Sequence, residues 1–368
     1  MHRGDSVAET GYTRNMTVSD DRLGLADPAR NITFRPDPRA RVPVAPPTGI
    51  DDLPRYLRFT AVRADADDLA TAQANCDVAI EAAVRWNSAL ALAAAHSLRT
   101  SVCHRRGDLA AAERDGRTAA GLLAAAGVDP LADAAVLLLA RRIATRLDRG
   151  DSAGAEELLD SLGEMPDSGG SLALRYARGR LYAVTGRPGE GLADMFFCGE
   201  RLAAREADRP SVLPWRSSAA AILASIGTAE AAARLAASEV EMARRSGPAS
   251  ALGRALRIEG LVPGGRGIAA LYEAVKVLEK SPRRYEYAQA LVDFGTVLNA
   301  ARRRPQARRV LREGLEVAEA CGSPALAERA GVAYAAAGGK VRATPQAPAI
   351  PPQPDRGDRE SFRPLRAD

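Results

Sequence analysis

Apolar residues recur along one helical stripe through most of this chain. Ile268, Leu271, Val275 and Leu278 lie at i, i+3, i+7 and i+10, and Tyr287, Leu291, Phe294 and Leu298 at i, i+4, i+7 and i+11. Either spacing gathers the apolar side chains on one face of an α-helix. Small residues beside the stripes (Ala269, Ala270, Ala290) let neighbouring helices approach closely.

Short turn signals interrupt these helices at regular intervals. They read RRGDLAAAE (105–113), DRGDSAGAEELL (148–159), TGRPGEGLADM (185–195), SIGTAEAAARL (225–235), PGGRGIAALYEAV (263–275) and ARRRPQARRVL (301–311). Their centres, Gly107, Gly150, Gly186, Gly227, Gly265 and Arg303, are separated by 43, 36, 41, 38 and 38 positions. Glycine there ends one helix in the left-handed conformation, and a following Asp or Thr caps the next. A second boundary repeats as well, since Pro214, Pro248 and Pro282 are 34 apart and Pro324 follows 42 later. Proline suits a first helical turn, where its missing donor costs nothing. One such hairpin cannot bury its stripe alone, but a stack can. The expectation is an all-α, tetratricopeptide-like right-handed α-solenoid of about seven hairpins.

Composition supports helices. The 368 residues include 76 alanines, 48 arginines and only three lysines, and aromatics are 4%. Alanine and arginine are good helix formers, whereas an all-β fold would need far more β-branched and aromatic residues. Seven of the 23 prolines lie in residues 1–54 and six in 339–368. Both stretches are polar and aperiodic, which favours solvated chain over a packed core. The expected organisation is a disordered N-terminal segment (1–54), a helical-repeat domain (55–338) and a disordered tail (339–368).

A net charge of +5 over this length is mild for a nucleic-acid binder. Cys76, Cys103, Cys198 and Cys321 form no CxxC pair and read as reduced thiols. The first residues lack the apolar run of a signal peptide, and no uncharged apolar stretch is long enough to span a membrane. A cytoplasmic protein without membrane association is expected.

The stretches 178–202 (RGRLYAVTGRPGEGLADMFFCGERL), 201–227 (RLAAREADRPSVLPWRSSAAAILASIG), 239–265 (EVEMARRSGPASALGRALRIEGLVPGG) and 280–330 (KSPRRYEYAQALVDFG onwards) carry a further signal. Together they resemble the helical sensor region of the large ATP-binding LuxR-family transcriptional regulators, over roughly residues 85–338. That resemblance implies a role in transcriptional control. Members of the family also carry a P-loop ATPase and a helix-turn-helix. Here no G-x-x-x-x-G-K-[ST] occurs. The one Gly-Lys pair, Gly339–Lys340, is followed by Val341, with Tyr334 in the place of the first glycine. Without that loop there is no phosphate cradle, and after Gly339 the sequence is proline-rich in place of two amphipathic helices, so neither ATP hydrolysis nor DNA reading is carried over. The sensor part alone remains, as an independent protein or as a fragment of a larger regulator.

Chemical motifs are sparse. Gly265 to Ala270 matches G-x-G-x-x-A, but no strand precedes it, and a helix-hairpin turn accounts for it. His96 and His104 with Cys103 lack the further ligand that a metal site needs. No cofactor and no catalysis are expected. The basic run Arg302–Arg304, with Arg308, Arg309 and Arg312, is diluted by Glu313, Glu316 and Glu319 and reads as a solvated face; direct DNA contact through it is the alternative. Trp215 beside Pro214 reads as a packing anchor. One arrangement is periodic: Arg99, Arg142, Arg178, Arg216 and Arg254 fall in the first helices of five successive hairpins, 43, 36, 38 and 38 apart. The first three lie eight residues before their turn glycine and the last two eleven. First helices line the concave face of such stacks, so these five are the expected groove-binding residues. They would suit a protein partner or a small anionic effector.

Overall fold

Fifteen α-helices form among the described residues, and a side-chain cap (Asp68, Ser88, Asp108 or Asp151) opens four of them. The computed structural model describes residues 45–166 and 170–340. The helices are α1 (Leu53–Asp65), α2 (Leu69–Arg85), α3 (Ala89–Arg106), α4 (Leu109–Ala125), α5 (Asp133–Arg149), α6 (Ser152–Asp160), α7 (Ser171–Val184) and α8 (Pro188–Ala204). They continue with α9 (Trp215–Ser225), α10 (Ala229–Ser246), α11 (Ala249–Leu261), α12 (Ile268–Glu279), α13 (Arg284–Ala300), α14 (Arg304–Ala320) and α15 (Pro324–Ala336). They pair in sequence into seven hairpins with α15 as a closing helix, giving the expected tetratricopeptide-like right-handed α-solenoid.

Local chemistry explains the punctuation. Gly107 and Gly150 end α3 and α5 with φ of 88° and 89°. The following Asp108 and Asp151 cap α4 and α6 by accepting from the N–H of Ala111 and Gly154, both at 2.9 Å. The Arg-Gly-Asp tripeptides at 106–108 and 149–151 are therefore helix stop-and-start signals. Pro214 and Pro248 sit at the N-caps of α9 and α11, and Pro324 at the first position of α15. Two expected turn centres move. Gly264 and Gly267 take positive φ in place of Gly265, and Arg302 (φ 62°) does so in place of Arg303, which becomes the N-cap of α14.

The helical body starts before residue 55. Leu53 is fully buried and Pro54 is buried with it, because the first turn of α1 packs into the N-terminal core. Of the two expected disordered ends, residues 1–44 and 341–368 lie outside the described residues, whereas 45–54 and 339–340 are described, with a 3₁₀ turn at Ile50–Asp52.

The coil meets itself. The turn after α1 contacts the start of α11 and α13. There Asp67 accepts from the N–H and hydroxyl of Ser250 (3.0 and 2.8 Å) and from Arg283 Nε (2.7 Å). The turn after α3 reaches α13 and α14, with the Leu109 N–H donating to the Cys321 carbonyl. The turn after α5 reaches α15, where the Ser323 hydroxyl donates to the Asp148 carbonyl at 2.6 Å. Between first helices the recurring offset is ten (α1 with α11, α3 with α13, α5 with α15), so about five hairpins complete one superhelical turn. A Cβ on Gly107 would stand 2.8 Å from the Tyr285 backbone nitrogen, and one on Gly150 would overlap Ala325. Gly186 and Gly227 have the same left-handed conformation but open space beside them, since among the described residues no later hairpin lies over theirs.

Candidate functional site

First helices of the hairpins surround a central cavity of about 670 Å³, within the size range of small-ligand sites. Each of α1, α3, α5, α7, α9, α11, α13 and α15 contributes to its wall. On α5 the cavity face runs Leu137, Ala140, Arg141, Ala144, Asp148, a helical stripe that is small, apolar and charged in turn. Seven arginines line the cavity (Arg105, Arg141, Arg180, Arg254, Arg257, Arg283 and Arg329) against three carboxylates, Asp65, Asp148 and Glu286.

Most of that charge is matched. Arg105 pairs with Asp65, Arg180 with Asp148, Arg254 with Glu286 and Arg283 with Asp67. Arg257 and Arg329 share Asp293, which stands just behind the wall. Asp148 also receives His104 Nε2 at 2.7 Å. Burial disfavours its charge, but Arg180 and His104 prevail and hold the carboxyl down at about 2. Arg141 is the exception. Its Nη1 donates to the Ser97 carbonyl and hydroxyl across to α3 (2.9 and 2.8 Å), and among the described residues no carboxylate lies within ion-pair distance of it. Burial, with Arg105 nearby, lowers its pKa to about 10, so it stays charged at neutral pH.

Of the five arginines expected in the groove, Arg254 alone lines the cavity. Arg99 and Arg178 point into their own hairpins, each held bidentately by the Asp sixteen residues on: Asp115 for Arg99 and Asp194 for Arg178. The stem of Arg142 crosses Gly116 of α4, where a Cβ would stand 3.0 Å from its Cγ. Arg216 is tied to Asp208 in the preceding loop. The physical reason is rotation: successive helical residues are 100° apart. Arg141 and Arg180 therefore reach the cavity while their near neighbours Arg142 and Arg178 face the second layer of helices. The cavity arginines share no single offset from the turn glycines, so periodicity could not single them out. The stripe of small residues on α5 was the available signal.

The other candidates are structural. His96 bonds Asp115 while His104 bonds Asp148, so the two histidines serve separate carboxylates. All four thiols are buried and unbridged, and burial pushes Cys103 and Cys198 up to about 12. Trp215 packs on Gly199, meets Phe196 edge-on and donates to Asp208, as a packing anchor does. Arg302–Arg304 are exposed.

The architecture has a counterpart among solved structures. A Rap protein complexed with Competence and Sporulation Factor aligns with a TM-score of 0.58 at 14% identity, over 77% of this chain and 78% of that one. Yeast Tom70 aligns at a TM-score of 0.40 and 15% identity, over 85% and 69%. No family model matches the chain, nor does any curated protein. The first likeness, at that identity, is one of fold: a tetratricopeptide-like helical repeat. Among the described residues no helix is long and apolar enough to cross a membrane.

Proposed function

We propose that this chain is a non-catalytic helical-repeat binding protein that takes its protein partner or small effector in the central cavity. The carrying observation is the cavity itself, walled by the first helices of the hairpins and rich in arginine. The Rap counterpart, described in complex with a factor, supports the use of such a fold for binding. The absence of catalysis is supported by how the reactive groups are held. Asp148 is locked as an anion by Arg180 and His104, and the thiols are kept protonated by burial. Arg254 is the one member of the expected column that serves this reading.

The finer reading is that binding reports to transcription, as in the sensor regions of LuxR-type regulators in the cytoplasm. Its support is the sequence resemblance over residues 85–338. The binding reading is tested by filling the cavity. Ala144 and Ala221 both face it and neither is fully buried, so Ala144→Trp and Ala221→Trp occupy the space without overpacking the core. Native mass spectrometry of protein isolated from the cells that make it should show a bound species with wild type and not with either variant. The same occupancy in all three would overturn the reading.

A further inference from the structure

One cavity cation has no carboxylate within ion-pair distance, and its position is specific. Arg141 spans from α5 to α3, where Ser97 receives its Nη1. Ser101 and Arg105, one and two turns further along α3, face the same cavity. A guanidinium, a hydroxyl and a second guanidinium thus converge on one wall. Arg105 already has Asp65, and every other cavity arginine has its own carboxylate or shares Asp293. Arg141 is therefore the one cavity arginine that no carboxylate reaches among the described residues, while Arg257 and Arg329 divide a single one. A half-buried cation without a counter-ion is unfavourable unless a ligand supplies it.

The rest of the wall is of a different kind. Val184 and Leu261 line the cavity with 67% and 41% of their surfaces exposed. Val212, Leu213 and Ala221 stand on the same side of the chain, between the helices that carry them. Exposed branched apolar groups inside a concavity are covered by an apolar body, as in most small-ligand sites. A multiply charged phosphate ester would require several cations without carboxylate partners, and Arg141 is the one of that kind here.

We propose that the cavity takes an amphiphilic monoanion, a carboxylic acid with an apolar body, its carboxylate held by Arg141 between α3 and α5 and its body lying against Val184 and Leu261. This rests on the cavity being the binding site.

Octanoate, octan-1-ol and octyl phosphate serve as probes in calorimetric titrations of the full chain at pH 7. Octanoate should bind saturably at one site and more tightly than octanol. Hydrogen bonds to charged groups contribute roughly 1.5–3 kcal/mol, so Arg141→Gln should weaken octanoate about tenfold or more and leave octanol unchanged. Arg141→Lys, which keeps the charge, should retain most of the octanoate affinity. Arg141→Gln should also melt no lower than wild type, since it removes an unmatched cation, and that melt establishes folding. Equal binding of acid and alcohol, no loss in Arg141→Gln, octyl phosphate bound in preference to octanoate, or no octanoate binding would each overturn the proposal. Ala144→Trp separates this failure from the wider one. If it abolishes binding that Arg141→Gln leaves intact, the cavity binds but not through a carboxylate; if it too changes nothing, the cavity reading fails as well.

Discussion

Glu239 is 1% exposed, yet its Oε1 accepts only the Ser217 hydroxyl, at 3.2 Å, and its Oε2 has no partner. Burial pushes its carboxyl up to about 7, against the pull of Arg254 and Arg216. Between the unfolded value of 4.5 and 7 the folded chain binds the extra proton, so stability must fall as pH rises through that interval. The loss is on the order of 3 kcal/mol. Glu239→Gln keeps an acceptor for Ser217 and has no charge to bury. Urea unfolding at pH 5 and pH 8 should therefore show a smaller difference in the variant than in wild type, and parallel curves would refute this account. Asp148 works in the opposite sense. Its folded value, held at about 2, lies below the unfolded one, so the stability it contributes is complete above about pH 4 and is lost as pH falls toward 2. Asp148→Asn should lack that acid-side loss in the same measurement.

Helices were legible because their signals are local. A Gly-Asp pair stops one helix and caps the next whatever surrounds it, and alanine-rich stripes with proline at the first turn need no tertiary knowledge. Where the reading slipped, a turn moved by one residue or a non-local contact decided. Arg302, and not Arg303, takes the left-handed conformation because the cap falls one residue later. The groove arginines were placed on the right helices and, except for Arg254, on the wrong faces. Rotation about each axis is fixed by partners such as Asp115, Gly116 and Asp194 on the second layer. Nothing within the first helix announces those partners. The start of α1 was misjudged similarly, since proline-rich text hid the buried pair Leu53 and Pro54. A chain beginning at residue 55 should consequently melt a few degrees below one beginning at residue 46. Losing a buried leucine costs about 2 kcal/mol. Calorimetry of the two chains decides it, and equal melting temperatures would show that the first turn of α1 contributes nothing.

In the whole molecule Asp67 joins segments 183 and 216 residues away, capping α11 through Ser250 and neutralising Arg283, which is 5% exposed. Removing one partner of a buried ion pair costs roughly 3–5 kcal/mol. Asp67→Ala should lower stability by about that amount and loosen the bond between the two ends of the coil. Denaturant unfolding followed by tryptophan fluorescence and by circular dichroism should then give non-coincident transitions, whereas wild type gives one. Coincident curves in the variant would mean that the seam does not couple the ends. The seam also constrains how such a chain can change over generations. An open array gains or loses repeats anywhere, because each repeat answers only to its neighbours. Here, a hairpin inserted between α6 and α11 would put Gly107 beneath a helix start other than that of α13, and would bring Gly150 and Asp67 out of phase at the same stroke. A hairpin added past α15 would lie over α7 and α8, where Gly186 leaves open space, and would disturb none of these contacts. The number of hairpins in the middle is fixed as firmly as any residue in the core.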